Sequence, residues 1–412
     1  MAPPLVLIHG IKGSMIYDRH NNPLYLTLKQ ALGWKTPILK LPIEWEVSEE
    51  HGARQKTDGS KRGRAIEQVA GPLSKFVGAQ GYHKILFWAR QKYGSEIVVH
   101  GFLGEAYSNA DDEMMEKMAL GSTSKRFFVF TYDWRRDNNE NAIRLINFMK
   151  VLNKIHGEKG QVVAHSNGGL LAWNAVNSHP QLFHSALFAA VPFGPSLNFL
   201  KDMNTQVGFK SLSPDVLFTH PCYYSFFPVY KIKNMDGTDC WSEVDSKARV
   251  FDIEGNPVEM DWTDAKAWKE MDLLFPTLDG AGEKEKRHLQ HCLDQAILFR
   301  KSMEVTDAAS LPPLAVLVGD SIPTKTGCVM SVSTGSNPKK TYDFDDSRTV
   351  MLGDGRIPTP NAFLPGDCKY DTYTTKKSHS NVLDEVELVE QILASLQGKV
   401  KAREESSSLL DM

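Results

Sequence analysis

A serine near the middle of the chain has the sequence context of an enzymatic nucleophile. Ser166 lies in the stretch QVVAHSNGGLLAWNAV, which is apolar on both sides. The β-branched residues before it predict a short buried strand, and the apolar spacing after it predicts a helix with one packed face. The chain must turn sharply between the two, and the small residues Ala164 and Gly168 permit this. Such a turn presents the hydroxyl at a helix N-terminus, where developing negative charge is favoured. The alternative is a structural serine in an ordinary turn.

A nucleophilic serine needs a base and an acid that orients the base, and with this type of turn both come later in the chain. Among the thirteen histidines, His379 lies in a polar loop before an amphipathic helix and is the predicted base. His165 is predicted to point away from the serine, and His179 to end the helix. Asp320 and Asp354 each end a predicted strand and are both candidates for the acid, because catalytic residues of open parallel sheets collect at this edge.

Acyl transfer also needs two backbone N–H groups that stabilise the oxyanion. In turns of this type one N–H belongs to the residue after the nucleophile, here Asn167. The other belongs to a loop after an early strand, and PLVLIHGIKGS is a predicted buried strand followed by a glycine-bearing turn. An ordinary strand-ending turn at His9 and Gly10 is the alternative.

The elements that must position these residues alternate between strand and helix. Residues 3–9 and 127–133 are predicted strands of one core, and residues 15–126 between them are a predicted first insertion. A second insertion is predicted at 195–305, after which strands and a closing helix complete a single domain over residues 1–400. The polar tail, residues 398–412, is predicted to be disordered.

Both predicted insertions are rich in aromatic residues. The first contains LSKFVGAQGYHKILFWARQKYG, and the second contains PCYYSFFPVY with Trp241, Trp262 and Trp268. The second set is suited to line an apolar acyl pocket and to form a lid. For both insertions, ordinary packing of the insertion against itself or the core is the alternative.

Composition excludes several other classes of function. The chain has 412 residues, a net charge of −3 and an ordinary hydrophobic content, so no nucleic-acid partner is predicted. It has no zinc-ligand spacing, phosphate-binding glycine loop or calcium loop, so neither a metal nor another cofactor is predicted. No run of eighteen apolar residues occurs, and any membrane contact is therefore expected to be peripheral.

Several motifs follow one another in a fixed order from about residue 4 to about residue 395: LVLIHGIKGS, FTYDWRRD, VVAHSNGG, VPFGPS, SPDVLF, GDGRIP and a late histidine. In this order they resemble the lecithin:cholesterol acyltransferase family, which includes lysosomal phospholipase A2 and phospholipid:diacylglycerol acyltransferases. The resemblance implies an α/β-hydrolase fold, with a mostly parallel sheet flanked by helices and two large cap or lid insertions.

The resemblance also implies the roles of individual residues. The family's acid lies in the GDG segment after an inserted hairpin, which favours Asp354 over Asp320. The implied triad is therefore Ser166, Asp354 and His379. The family position that matches the second oxyanion donor is Ile11, which joins Asn167 in the implied oxyanion hole.

The implied function is a lipid O-acyltransferase or phospholipase that forms an acyl-enzyme on glycerolipid esters, with the first insertion contacting the membrane. One alternative is a carboxylesterase or lipase for simpler esters. Another is a non-catalytic hydrolase fold that binds lipid.

The sequence departs from the family in two respects. Phe193 and Pro195 replace a tryptophan and a glycine in the segment after the nucleophile, which leaves acceptor and acyl specificity open. No leader peptide is recognised before the first strand, and the five cysteines begin only at Cys222. Reduced thiols are expected, although Cys328 and Cys368 could pair. The expected location is the cytoplasm or a membrane surface, or a lysosomal or secreted one if the N-terminus is incomplete.

Overall fold

The computed structural model describes residues 2–25, 27, 30, 39–48, 52–66, 81–100, 126–205, 212–234, 236–241, 249–274 and 282–410. The strands are β1 (Leu5–Ile8), β2 (Ser14–Tyr17), β3 (Pro23–Tyr25), β4 (Trp45–Ser48), β5 (Gly52–Gln55), β6 (Lys61–Ala65), β7 (Ile97–His100), β8 (Phe127–Thr131), β9 (Gly160–His165), β10 (Phe183–Ala189), β11 (Val250–Phe251), β12 (Leu314–Gly319), β13 (Ile322–Lys325), β14 (Cys328–Val332), β15 (Lys340–Asp343), β16 (Val350–Gly353) and β17 (Asp371–Thr375). The α-helices are α1 (His83–Tyr93), α2 (Asn138–His156), α3 (Asn167–Ser178), α4 (Asn198–Asn204), α5 (Pro214–Leu217), α6 (Ala265–Glu270), α7 (Glu283–Lys301) and α8 (Val386–Leu410).

A seven-stranded sheet in the order β7-β8-β1-β9-β10-β12-β17 forms the centre of the molecule. Each neighbouring pair of strands in it is parallel. The chain extends the sheet from β1 in both directions, with β8 on one side and β9 on the other. The crevice at such a switch point, outside the carboxyl ends of the strands, is where open parallel sheets bind ligands. The parallel sheet with its flanking helices confirms the predicted α/β-hydrolase fold class.

Helices cover both faces of this sheet, so its strands are apolar at nearly every position. In β1 the side chains of Leu5 and Leu7 pack on one face with α1 and α8. Those of Val6 and Ile8 pack on the opposite face with α2 and α3. This period of two residues is what a strand buried on both sides requires.

The first predicted insertion contains a strand of the core. Within residues 15–126, β7 pairs in parallel with β8 at the edge of the central sheet. The sequence IVVH is β-branched but short, and its pairing partner lies about thirty residues later, so local pattern alone did not identify it. The described part of the insertion before it forms two small antiparallel sheets, β3-β2-β6 and β4-β5.

The aromatic segment of the first insertion is described only from residue 81 onward. Its helix α1 packs against the sheet through Ile85, Leu86, Ala89 and Tyr93. This part of the segment packs against the core, as the alternative interpretation predicts. Phe87, on the same helix, is 64% exposed. Of the predicted membrane-contacting insertion at 15–126, residues 26, 28–29, 31–38, 49–51, 67–80 and 101–125 lie outside the described residues.

The C-terminal tail differs from the expectation of disorder. Helix α8 continues to Leu410, so residues 398–410 are helical. An ion pair between Lys401 and Glu405, one turn apart, supports this extension. Arg403 also donates a 3.0 Å hydrogen bond to the carbonyl of Leu311, which ties the helix to the chain just before β12.

Candidate active site

Ser166 occupies a strained turn between β9 and α3. Its φ and ψ are 54° and −131°, a conformation that is costly for a residue with a side chain. The turn fits because Gly168 has no side chain: a Cβ there would lie 2.2 Å from the carbonyl oxygen of His9. The loop after β1 therefore packs directly against the start of α3, as the small residue at this position predicts.

The structure brings Ser166, His379 and Asp354 together. His379 Nε2 lies 3.0 Å from Ser166 Oγ, and His379 Nδ1 lies 2.8 Å from Asp354 Oδ2. The backbone N–H of His379 also donates to the carbonyl of Asp354 at 2.9 Å. All three residues are buried. This is the hydrogen-bonding order in which a histidine takes a proton from a serine while a carboxylate holds the imidazole in place.

Asp354 is held as a carboxylate that faces the histidine. Its Oδ1 accepts hydrogen bonds from the N–H groups of Arg356 at 2.8 Å and Ile357 at 2.6 Å, which leaves Oδ2 for His379. Burial alone would raise the pKa of Asp354, but His379 and the two backbone donors outweigh it, and the pKa is lowered.

The other candidate acid does not contact the histidine. Asp320 follows β12, and its Oδ1 accepts from the neighbouring Ser321 hydroxyl at 2.6 Å. Strand β13 leads the chain away from β12, and β16, which pairs with it antiparallel after β14 and β15, returns the chain at Asp354. A Cβ at Gly319 would lie 2.5 Å from the Asp354 Cβ, so the glycine at the end of β12 makes room for the acid.

The two predicted oxyanion donors lie on chain segments that adjoin the nucleophile turn. Asn167 is the first residue of α3, where a backbone N–H has no helical acceptor. Its side chain exchanges two 3.0 Å hydrogen bonds with Asn138 of α2, which fixes the start of the helix. Ile11 lies in the loop after β1, on the segment that Gly168 contacts through His9.

Sequence reasoning missed two side chains at this site. His165 was expected to point away, yet its ring centroid lies 5.0 Å from that of His379. Its Nε2 is 2.9 Å from the His379 carbonyl oxygen, and its Nδ1 is 2.9 Å from the hydroxyl of Tyr82. That hydroxyl is in turn 2.8 Å from the Gly10 nitrogen. The histidine before the serine was the only available signal, while Tyr82 lies in an insertion without a recognisable motif.

Charged side chains lie next to Ile11, in the loop after β1, and next to Asp354. Arg356, two residues after the acid, pairs with Asp202 of α4 and lies over the Phe199 ring at 4.1 Å. Half-buried Lys12 follows Ile11. Burial lowers the pKa of Lys12 and Arg356 adds to this, whereas Asp202 opposes it. Two cations and one carboxylate therefore lie close enough to interact beside these two residues.

The aromatic residues of the second insertion pack against one another, and two of them also line a cavity. Tyr224, Phe227 and Trp268 make edge-on contacts, as the self-packing alternative predicts. Trp262 joins this cluster and, with Trp241, lines a cavity of about 320 Å³ that also contacts Pro195. None of the triad residues lines this cavity.

Phe193, one of the departures from the family pattern, does not border the cavity. It is fully buried and packs edge-on against Trp173 and Phe188. The substitution therefore affects the packing behind the nucleophile. Pro195, the other departure, is the residue of the pair that lines the cavity.

The remaining predictions concern thiols, metals and membrane spans. All five cysteines are free, including Cys328 and Cys368. Within the described ranges, no group of three or more histidine, cysteine or acidic side chains is arranged to hold a metal ion. None of the helices in those ranges is long and apolar enough to cross a bilayer.

No protein-family model and no curated protein matches the sequence. Three solved structures illustrate the similarity in fold. E-2-(acetamidomethylene)succinate hydrolase is 10% identical with a TM-score of 0.30, covering 97% of this chain and 91% of its own. Tomato methylketone synthase I bound to 2-tridecanone is 11% identical with a TM-score of 0.29, covering 97% and 99%. A variant of a meta-cleavage product hydrolase is 12% identical with a TM-score of 0.29, covering 74% and 90%.

Similarities this low carry no argument about the fold or the activity of this chain. The chain has the α/β-hydrolase fold, with a serine, a histidine and an aspartate hydrogen-bonded in series at the carboxyl edge of its sheet.

Proposed function

We propose that this protein is a serine-dependent acyl-transfer enzyme that acts on lipid esters, as an O-acyltransferase or a lipid acyl hydrolase. The observation that carries the proposal is the hydrogen-bonded series of Ser166, His379 and Asp354, at 3.0 Å and 2.8 Å. The strained turn and the helix N-terminus behind the serine support it, because both are what an exposed nucleophile beside an oxyanion requires.

The reaction follows from the hydrogen-bond order. His379 takes the proton of the Ser166 hydroxyl as the oxygen attacks an ester carbonyl. The N–H groups of Ile11 and Asn167 donate to the oxyanion of the tetrahedral intermediate. His379 then gives its proton to the departing alcohol, and an acyl-enzyme remains. Water or a second alcohol, deprotonated by the same histidine, releases the acyl group.

The proposed lipid substrate is supported by the ordered sequence motifs and by aromatic side chains of the second insertion. Trp241 and Trp262 line the cavity of the second insertion beside Pro195, which follows the strand next to the nucleophile. Phe199 and Phe226 stack at 4.0 Å on the segment that follows. We further propose that the first insertion makes a peripheral contact with lipid, supported by the exposed Phe87 of α1.

The test is product analysis on vesicles of labelled phosphatidylcholine that also contain a sterol, a diacylglycerol and a short lipophilic alcohol. Acylated alcohol that Ser166→Ala does not form would establish an acyltransferase and identify its acceptor. Free fatty acid alone would establish a lipid acyl hydrolase.

Turnover of soluble short-chain esters without any release from vesicles would favour the carboxylesterase alternative. A variant Ser166→Ala that retained wild-type turnover would refute the proposal altogether.

A further inference from the structure

Tyr82 reaches the active site from the first insertion. It precedes α1, and its side chain is 3% exposed. Its backbone N–H donates to the carbonyl of Ile66 at 3.0 Å, which fixes the residue independently of its hydroxyl. The hydroxyl lies 2.8 Å from the nitrogen of Gly10 and 2.9 Å from Nδ1 of His165.

With His165 neutral, the donors and acceptors in this cluster are consistent with only one arrangement of protons. The His379 carbonyl oxygen can only accept, so His165 carries its proton on Nε2, and this N–H donates to that carbonyl at 2.9 Å. Nδ1 of His165 is then unprotonated and accepts from the Tyr82 hydroxyl at 2.9 Å. The Tyr82 oxygen in turn accepts from the Gly10 N–H at 2.8 Å. Each polar group in the series has a partner, as buried groups require.

The series connects the two loops on which catalysis depends. Gly10 immediately precedes Ile11, the predicted oxyanion donor, and His379 is the predicted base. We propose that Tyr82 and His165 are positioning residues. They hold the loop that carries Ile11 and the loop that carries His379 at the correct distance from each other, on either side of Ser166. This inference rests on the proposed function, since it assigns both side chains to the same site.

The tautomer also matters for charge. His379 becomes an imidazolium when it takes the serine proton, and the His165 ring is 5.0 Å away between centroids. A second positive charge there would oppose that step. The ionisable groups around His165 are Tyr82, His379, Asp354 and His9, and burial together with the proximity of His379 lowers the pKa of His165 to about 3. A second proton on His165 would have to bind Nδ1, and this nitrogen already accepts a hydrogen bond from the Tyr82 hydroxyl.

The test compares Tyr82→Phe with Tyr25→Phe as a matched control. Tyr25 is also buried, and among the described residues its hydroxyl has no hydrogen-bond partner. Tyr82→Phe is expected to lower kcat roughly 10- to 100-fold with little change in KM, since it misplaces groups that act only in the chemical step. It should also move the acid limb of the kcat profile to higher pH, because His165 Nδ1 becomes free to protonate. Tyr25→Phe should do neither.

Wild-type kcat and an unchanged pH profile in Tyr82→Phe would overturn the inference. If the variant does not fold, nitrogen-15 NMR of the histidines in the wild-type protein decides the matter. A neutral His165 with its proton on Nε2 is expected, and a proton on Nδ1 or a cation would overturn the inference.

The proposed function can fail separately from this inference. A wild-type protein that turns over no ester and does not react with a fluorophosphonate at Ser166 would refute the function, and the inference would fail with it. A reactive Ser166 whose rate is indifferent to Tyr82→Phe would refute only the positioning role.

Discussion

Replacing Asp354 with asparagine should inactivate the enzyme through the tautomer of His379. Oδ1 of Asp354 accepts from two backbone N–H groups, those of Arg356 and Ile357. The side-chain oxygen of an asparagine would keep these bonds, so its NH₂ group would face His379. An NH₂ group only donates, and His379 Nδ1 would therefore have to accept. The proton would move to Nε2, which faces the Ser166 hydroxyl and could no longer take its proton.

The expected cost is about 10⁴-fold in kcat, the loss known for the same change in another serine triad. This corresponds to about 5.4 kcal/mol of transition-state stabilisation. The assay is steady-state hydrolysis of a chromogenic ester by Asp354→Asn, with circular dichroism to establish folding. Asp320→Asn is the matched control and should retain wild-type activity, because Asp320 bonds only to Ser321 among the described side chains. A folded Asp354→Asn that kept more than roughly a tenth of wild-type kcat would refute this reasoning.

Three further predictions concern stability and are measured by urea unfolding. Gly168→Ala should lower the free energy of unfolding by about 1–3 kcal/mol, since the new Cβ would lie 2.2 Å from the His9 carbonyl oxygen. Gly398→Ala, with nothing within 4 Å, is its control, and an equal loss in both would contradict the steric argument. Arg135→Met should cost about 3–5 kcal/mol because it leaves the buried Asp133 carboxylate without its closest cation, and a loss below roughly 1 kcal/mol would count against that. Burial lowers the pKa of His9 from 6.5 to about 4, so the unfolded chain binds its proton first as the pH falls. Stability contributed by His9 is therefore present above pH 6.5 and is lost between 6.5 and about 4, by up to about 1.4 kcal/mol per pH unit. A urea midpoint that did not fall between pH 7 and pH 5 would contradict this.

The turn that carries Ser166 could be predicted from sequence because its requirements are local. The turn at Ser166 depends on small residues two positions away on either side, and these are visible in a stretch of five letters. The helix after it and the strand before it likewise follow from short-range apolar patterns. The same holds for α2, because a glycine is typical of a helix C-terminus and Gly157 ends this helix in the left-handed conformation.

The positions of Asp354, Tyr82 and His165 depend on contacts between distant parts of the chain. Asp320 and Asp354 have nearly the same local sequence, and only the antiparallel pairing of β13 with β16 determines which of them meets His379. Tyr82 bonds to Gly10 across 72 residues and to His165 across 83. No local pattern encodes such a pairing. The helical tail could not be predicted for the same reason. Its polar composition does not indicate that Arg403 bonds to the carbonyl of Leu311.

The proposed activation of Ser166 by His379 is best tested by intact-protein and peptide mass spectrometry after reaction with a fluorophosphonate. A single adduct is expected on the peptide that contains Ser166, formed rapidly by the wild type and slowly by His379→Gln. No adduct should form with Ser166→Ala. Labelling that persisted in Ser166→Ala, or ester turnover by a wild-type protein that formed no adduct at Ser166, would show that Ser166 is not the nucleophile.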